Sequence, residues 1–200
     1  MGSNFLVHVR MFLFIVTMLF IPSLSVAPCQ CIDKEQFAQK LEELYKAEEK
    51  QSEYDIAYQS MVDTIKWHEG FRSQPYYCLA HVKTVGYGHA IKKGDKFNYP
   101  ITKEFADSLL KVDFDRAIDY VSRTTDLEYL QLLAVAHFVY ALGSGNFSRS
   151  NIKEKIKLGE PIDDEIVKWV HIRKKDGTII KSDHLLKSRR MELNYYNSET

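Results

Sequence analysis

Residues 69–89 read EGFRSQPYYCLAHVKTVGYGH. A run with helical spacing (Met61, Val62, Ile65) leads into Glu69, and Gly70 breaks it. A stretch rich in Tyr, Val and Thr follows, interrupted by Gly86 and Gly88, which suits two or three short antiparallel strands. Glu69 is therefore expected in the last turn of a helix, facing a small sheet. Partial burial there should raise its carboxyl above the roughly 4.3 of a free glutamate. A carboxyl that stays protonated near neutral pH can serve as a general acid.

C-terminal to this stretch, Lys92-Lys93-Gly94-Asp95 is turn chemistry. Thr102 is set to cap a helix carrying Glu104 in its first turn. Phe105, Leu109, Val112 or Asp113, Ala117 and Val121 would form its inner stripe. Residues 127–142 are nearly all apolar, include Gln131 and His137, and end at a turn starting with Gly143. Their length predicts a buried central helix and not a membrane span, which needs about 20 residues. Short helices are expected over 151–158 and 163–170, a turn at Asp176-Gly177, and a last helix over 183–196. The sum is an α+β fold, a small antiparallel sheet lobe plus a helical lobe, in one domain over 58–200.

N-terminal to it, residues 33–55 hold eight acids against four lysines, with Phe37, Leu41 and Leu44 as a thin apolar stripe. Residues 28–57 thus read as a charged amphipathic helix, packed or acting as a linker. Residues 1–27 have the marks of a secretory signal: His8 and Arg10, an apolar run of eleven residues over 11–21, then Ser25-Val26-Ala27. Cleavage after Ala27 is expected, with an uncleaved membrane anchor as the alternative. Export would place Cys29, Cys31 and Cys78 in an oxidising compartment. Three cysteines leave at least one thiol free or paired between chains.

The formal net charge is zero, which does not point to nucleic acid. Basic residues outnumber acidic ones over 149–190, as an anionic cell-wall partner or simply a solvated face would explain. No zinc-protease motif, paired C-x-x-C or phosphate-binding loop occurs, so no metal and no organic cofactor is expected.

Five motifs occur in order: E-G-F-R at 69–72, T-V-G-Y-G-H at 84–89, P-I-T-K-E-F-A-D-S-L-L-K-V-D at 100–113, G-S-G-N-F-S-R-S at 143–150 and R-R-x-E at 189–192. Over residues 58–196 the chain resembles the phage-type lysozymes of glycoside hydrolase family 24, the endolysins or muramidases. The resemblance implies a lysozyme-like fold. It also implies hydrolysis of the β-1,4 bond between N-acetylmuramic acid and N-acetylglucosamine in bacterial peptidoglycan. The family's Glu, eight residues, Asp or Cys, five residues, Thr pattern falls on Glu69, Cys78 and Thr84. By resemblance Glu69 protonates the glycosidic oxygen, Cys78 stabilises the anomeric cation or handles the water, and Thr84 holds that water.

The thiol at 78 matters chemically. A neutral thiol is a poor partner for an oxocarbenium ion, whereas a thiolate is a good partner and a strong nucleophile. A covalent, retaining route is therefore open beside the family's commoner inverting one. Each residue also has a plainer reading: an exposed helix-end Glu, a small core Cys, a strand Thr. Tyr76, Tyr77 and Tyr87 are candidates for stacking on sugars or for packing, and Gln131 for lining the cleft. By resemblance His89 pairs with Asp113, and Arg189, Arg190 and Glu192 clamp the lobes. His68 reads as a surface histidine. Cys29 or Cys31 could pair with Cys78 and lock the enzyme until thiol exchange, or form a mobile tail. The expected protein is a monomer, secreted, periplasmic or membrane-anchored. The rivals are a weak peptidoglycan-binding protein with a degenerate cleft and an anchored structural wall protein.

Overall fold

The computed structural model describes residues 34–78 and 81–198. The expected signal or anchor, Cys29 and Cys31 all lie outside those residues. Among the described residues no helix is long and apolar enough to cross a membrane. The chain divides into two units, Met1–Lys46 and Ala47–Thr200.

Helix α1 runs over Lys34–Glu69 without a break. Two separate helices were expected here, but no Gly or Pro interrupts the segment, so nothing stops propagation before Gly70. Phe37, Leu41 and Leu44 are exposed; the helix buries Met61, Val62 and Ile65 near its C-terminal end. Gly70 closes it in the left-handed region at φ +69°, donating its N–H to the Lys66 carbonyl.

The chain turns at once into β1 (Arg72–Tyr77), β2 (Lys83–Gly86) and β3 (His89–Ala90), an antiparallel sheet in that order. Thr84 pairs with Tyr76 on one side and with Ala90 on the other. Register shifts between Arg72 and Tyr76, where Pro75 has no N–H to give the ladder.

Helix α2 (Lys103–Ser122) is capped as expected, Phe105 N–H donating to Thr102 Oγ1 at 3.1 Å. Its inner face is Ala106, Leu110, Phe114, Ala117 and Val121. The expected stripe was right at its C-terminal end and one residue off at its start, where Phe105 and Val112 face out. Helix α3 (Tyr129–Leu142) is central, with Leu133 to Val139 all buried, and it packs on both α2 and the last helix. The Gly143 turn winds into a short helix, α4 (Ser144–Ser148); α5 (Asn151–Leu158) and α6 (Asp163–Ile166) follow. A hairpin, β4 (His171–Arg173) with β5 (Ile179–Lys181), flanks the expected turn at Asp176 and was missed, its strands being only three residues each. Helix α7 (Asp183–Tyr196) closes the domain, Leu185 N–H donating to Ser182 Oγ.

Two charged groups organise the interior. His89 Nδ1 meets Asp113 Oδ2 at 2.5 Å, joining β3 to α2 as expected. On α7, Arg189 and Glu192 are both fully buried, with Nε to Oε2 at 2.6 Å. Glu192 also accepts from His137 Nδ1 of α3 at 2.6 Å, and Arg189 donates to the Trp169 carbonyl and lies over the Phe138 ring. This clamp joins helix to helix, not lobe to lobe, and Arg190 is exposed, outside it. Removing one partner leaves the other charge buried and uncompensated. Arg189→Ala should therefore cost about 3–5 kcal/mol by denaturant unfolding, and Arg189→Met with Glu192→Leu markedly less. A loss under about 1 kcal/mol for Arg189→Ala would mean that the charges are already hydrated.

Candidate active site

Glu69 ends α1 where three elements converge. Its side chain is 18% exposed, and Oε1 lies 3.4 Å from His184 Nε2 of α7. The bare backbone of Gly88 fills the opposite side. A Cβ there would sit 3.7 Å from Glu69 Oε2 and 3.8 Å from the Tyr140 hydroxyl, and φ is +97°. Glycine at 88 thus leaves room beside the carboxylate and allows the turn. The Tyr140 hydroxyl of α3 donates to the Tyr87 carbonyl at 2.6 Å. Burial first, then the charges of Glu69 and Asp113, push Tyr140 well above its usual range, so it remains a donor.

The expectation of a raised Glu69 carboxyl is overturned in direction. Burial is the largest single influence and does push it up. The His184 hydrogen bond, with the charges of His184, His137 and His68, outweighs that and holds the carboxyl below its ordinary value. His68 is not a plain surface histidine: its ring lies 4.1 Å, centre to centre, from that of His184. Burial, then the His184 charge, lowers its proton affinity. One ligand atom from each of His68, Glu69 and His184 lies within 4.8 Å of the others, a geometry open to a metal ion.

Cys78 is half-buried at the end of β1, opening the turn to β2; its N–H donates to the Val82 carbonyl at 3.0 Å. His81 in this turn has φ 59°. Thr84 is 5% exposed, and its hydroxyl points at the Tyr76 carbonyl at 3.4 Å. The sheet thus holds Thr84 beside the strand that delivers Cys78, and Glu69 directly precedes that strand.

Of the candidates for substrate contact, Tyr87 directly precedes Gly88. Tyr87 is 5% exposed with its ring against Phe71, so it offers no open face for stacking, and its carbonyl anchors Tyr140 instead. Gln131 lies in the first turn of α3, about 14 Å along the axis from Tyr140 at 1.5 Å per residue. A cleft of about 450 Å³ is lined by Gly88, Tyr140, Asp113, Arg116, Tyr120 and Ser144; Glu69, Cys78 and Thr84 do not line it. His184, His137 and Tyr140 were not picked out from the sequence as parts of this site. The spacing of His137 and Tyr140, one turn apart on the central helix, was the available signal.

The phage lysozyme family matches residues 66–192, more than half of the chain. No curated protein matches the sequence. Among solved structures, the muramidase domain of SpmX from Asticaccaulis excentricus is similar, at 23% identity and TM-score 0.61, over 70% of this chain and 96% of that one. The endolysin of Escherichia coli O157:H7 phage FAHEc1 is similar at 24% identity and TM-score 0.60, over 70% and 92%. A mutant of P22 lysozyme is similar at 25% identity and TM-score 0.54, over 70% and 96%. The chain thus shares the fold of these structures and belongs to the phage lysozyme family, a glycosidase that degrades peptidoglycan.

Proposed function

We propose that the chain is an exported muramidase that hydrolyses the β-1,4 bond between N-acetylmuramic acid and N-acetylglucosamine. The observation that carries this reading is Glu69: a mostly buried carboxyl at the end of its helix, with the bare backbone of Gly88 beside it. Glu69 gives its proton to the glycosidic oxygen as the bond to the anomeric carbon breaks. A sugar in the cleft displaces water and adds to the burial already pushing the carboxyl up, so substrate itself favours the protonated acid. Cys78 takes the second catalytic position, and Thr84, held by the Tyr76 carbonyl, aids in placing the attacking water. The chain acts as a monomer outside the cytoplasm, delivered there by residues 1–27.

Glu69→Gln keeps the shape and removes the proton. Release of reducing sugars from purified peptidoglycan should fall about 10²–10⁴-fold while sedimentation with cell walls persists. Undiminished release would remove Glu69 from the mechanism. Cys78→Ala should lower release about tenfold or more and Cys78→Asp should retain it; full activity in the alanine variant would leave Cys78 as a packing residue.

The pH profile tests the surroundings of Glu69. His68 of α1, His184 of α7, and His137 and Tyr140 of α3 bear on its charge. Because the carboxyl is held low and its protonated form is the acid, kcat/KM should rise as pH falls from neutral. In His184→Gln burial acts with less opposition, so the limb of the profile set by Glu69 should move to higher pH. An unmoved limb would show that His184 does not set the acid.

A further inference from the structure

The nitrogen atoms around Glu69 exceed what a general acid uses. His184 Nε2 and Glu69 Oε1 are 3.4 Å apart, close to the roughly 3.3 Å edge that bonds of about 2.0–2.1 Å give in tetrahedral zinc. The third group is set up by Ser188. Its hydroxyl donates to the His184 carbonyl at 3.2 Å, so its lone pairs face His68 Nε2 at 3.5 Å. With Nε2 as the donor in that contact, Nδ1 keeps a lone pair. Among the described residues, Nδ1 is a buried atom with no hydrogen-bond partner. A histidine that gives one N–H to a neighbour and keeps the other nitrogen bare is how metal ligands are held. One ligand atom from each of the three residues lies within 4.8 Å of the others, and the His184 side chain is 47% exposed and reachable from solvent.

We propose that His68, Glu69 and His184 form a zinc site that switches the enzyme off. Two imidazoles and one carboxylate suit Zn²⁺ and discriminate against Mg²⁺ and Ca²⁺, which prefer all-oxygen shells. Water completes the fourth position. Zinc on Glu69 occupies the oxygen that would carry the catalytic proton. The inhibition rests on Glu69 being the acid; the metal site does not.

Cobalt(II) reports occupancy by colour, without reference to turnover. The full chain titrated with Co²⁺ should develop the visible bands of a tetrahedral ion at one ion per chain, and Zn²⁺ should bleach them. Zinc should also abolish sugar release, and EDTA should restore it. His184→Ala and the isosteric Glu69→Gln should each weaken zinc binding, read by calorimetry, about tenfold or more. His171→Ala, on the exposed edge of β4, should leave it unchanged. Absent bands, bands that survive in His184→Ala, or bound zinc with undiminished sugar release would each overturn the proposal. A metal-free chain that releases no sugar would instead count against the acid role of Glu69, because the cobalt bands still report the site.

Discussion

A carboxylate with no access to water, Glu192, sets the geometry of the domain. An ion there is tolerated only with its charge and lone pairs matched, and Arg189 and His137 supply the match. The consequence is register. His137 fixes where α3 lies against α7, and each helix carries, within about two turns of that contact, a residue near Glu69: Tyr140 on α3, His184 on α7. Neither helix can slide without breaking the buried contacts. A polar interior that contributes little net stability thus specifies position.

The surroundings of Glu69 contain opposed forces. Low solvent exposure favours the neutral carboxyl; the neighbouring histidines favour the charged one and prevail. In the proposed mechanism a bound sugar displaces water and so strengthens the desolvation side, the direction that proton donation by Glu69 needs.

Much of the fold was legible because local signals agreed with tertiary demand. Gly70, Thr102 and Gly159 end or start helices for stereochemical reasons that need no neighbours, and the apolar run over 127–142 could only be a buried helix. The α+β architecture followed, and the family profile and solved structures agree with it. What was not legible depends on distance along the chain. Tyr87 looked like a stacking residue because aromatic character is visible in sequence and burial is not. The Glu69 carboxyl was expected high because burial was foreseen and the approach of His184 from the last helix was not. The α2 stripe began one residue off because Phe105 and Val112 are as apolar as the residues that do face inward; only packing chooses between them.

The separation in sequence between the two halves of the site has a temporal meaning. His68 and Ser188 touch across 120 residues, and Glu69 meets His184 over nearly the same interval. During synthesis Glu69 and its sheet emerge before the helix bearing His184, Ser188 and Arg189. Until α7 docks, Glu192 has not met His137, and the histidine beside Glu69 is not in place. Order of translation therefore acts as a clock: the surroundings of Glu69 are assembled only after α7 has been made.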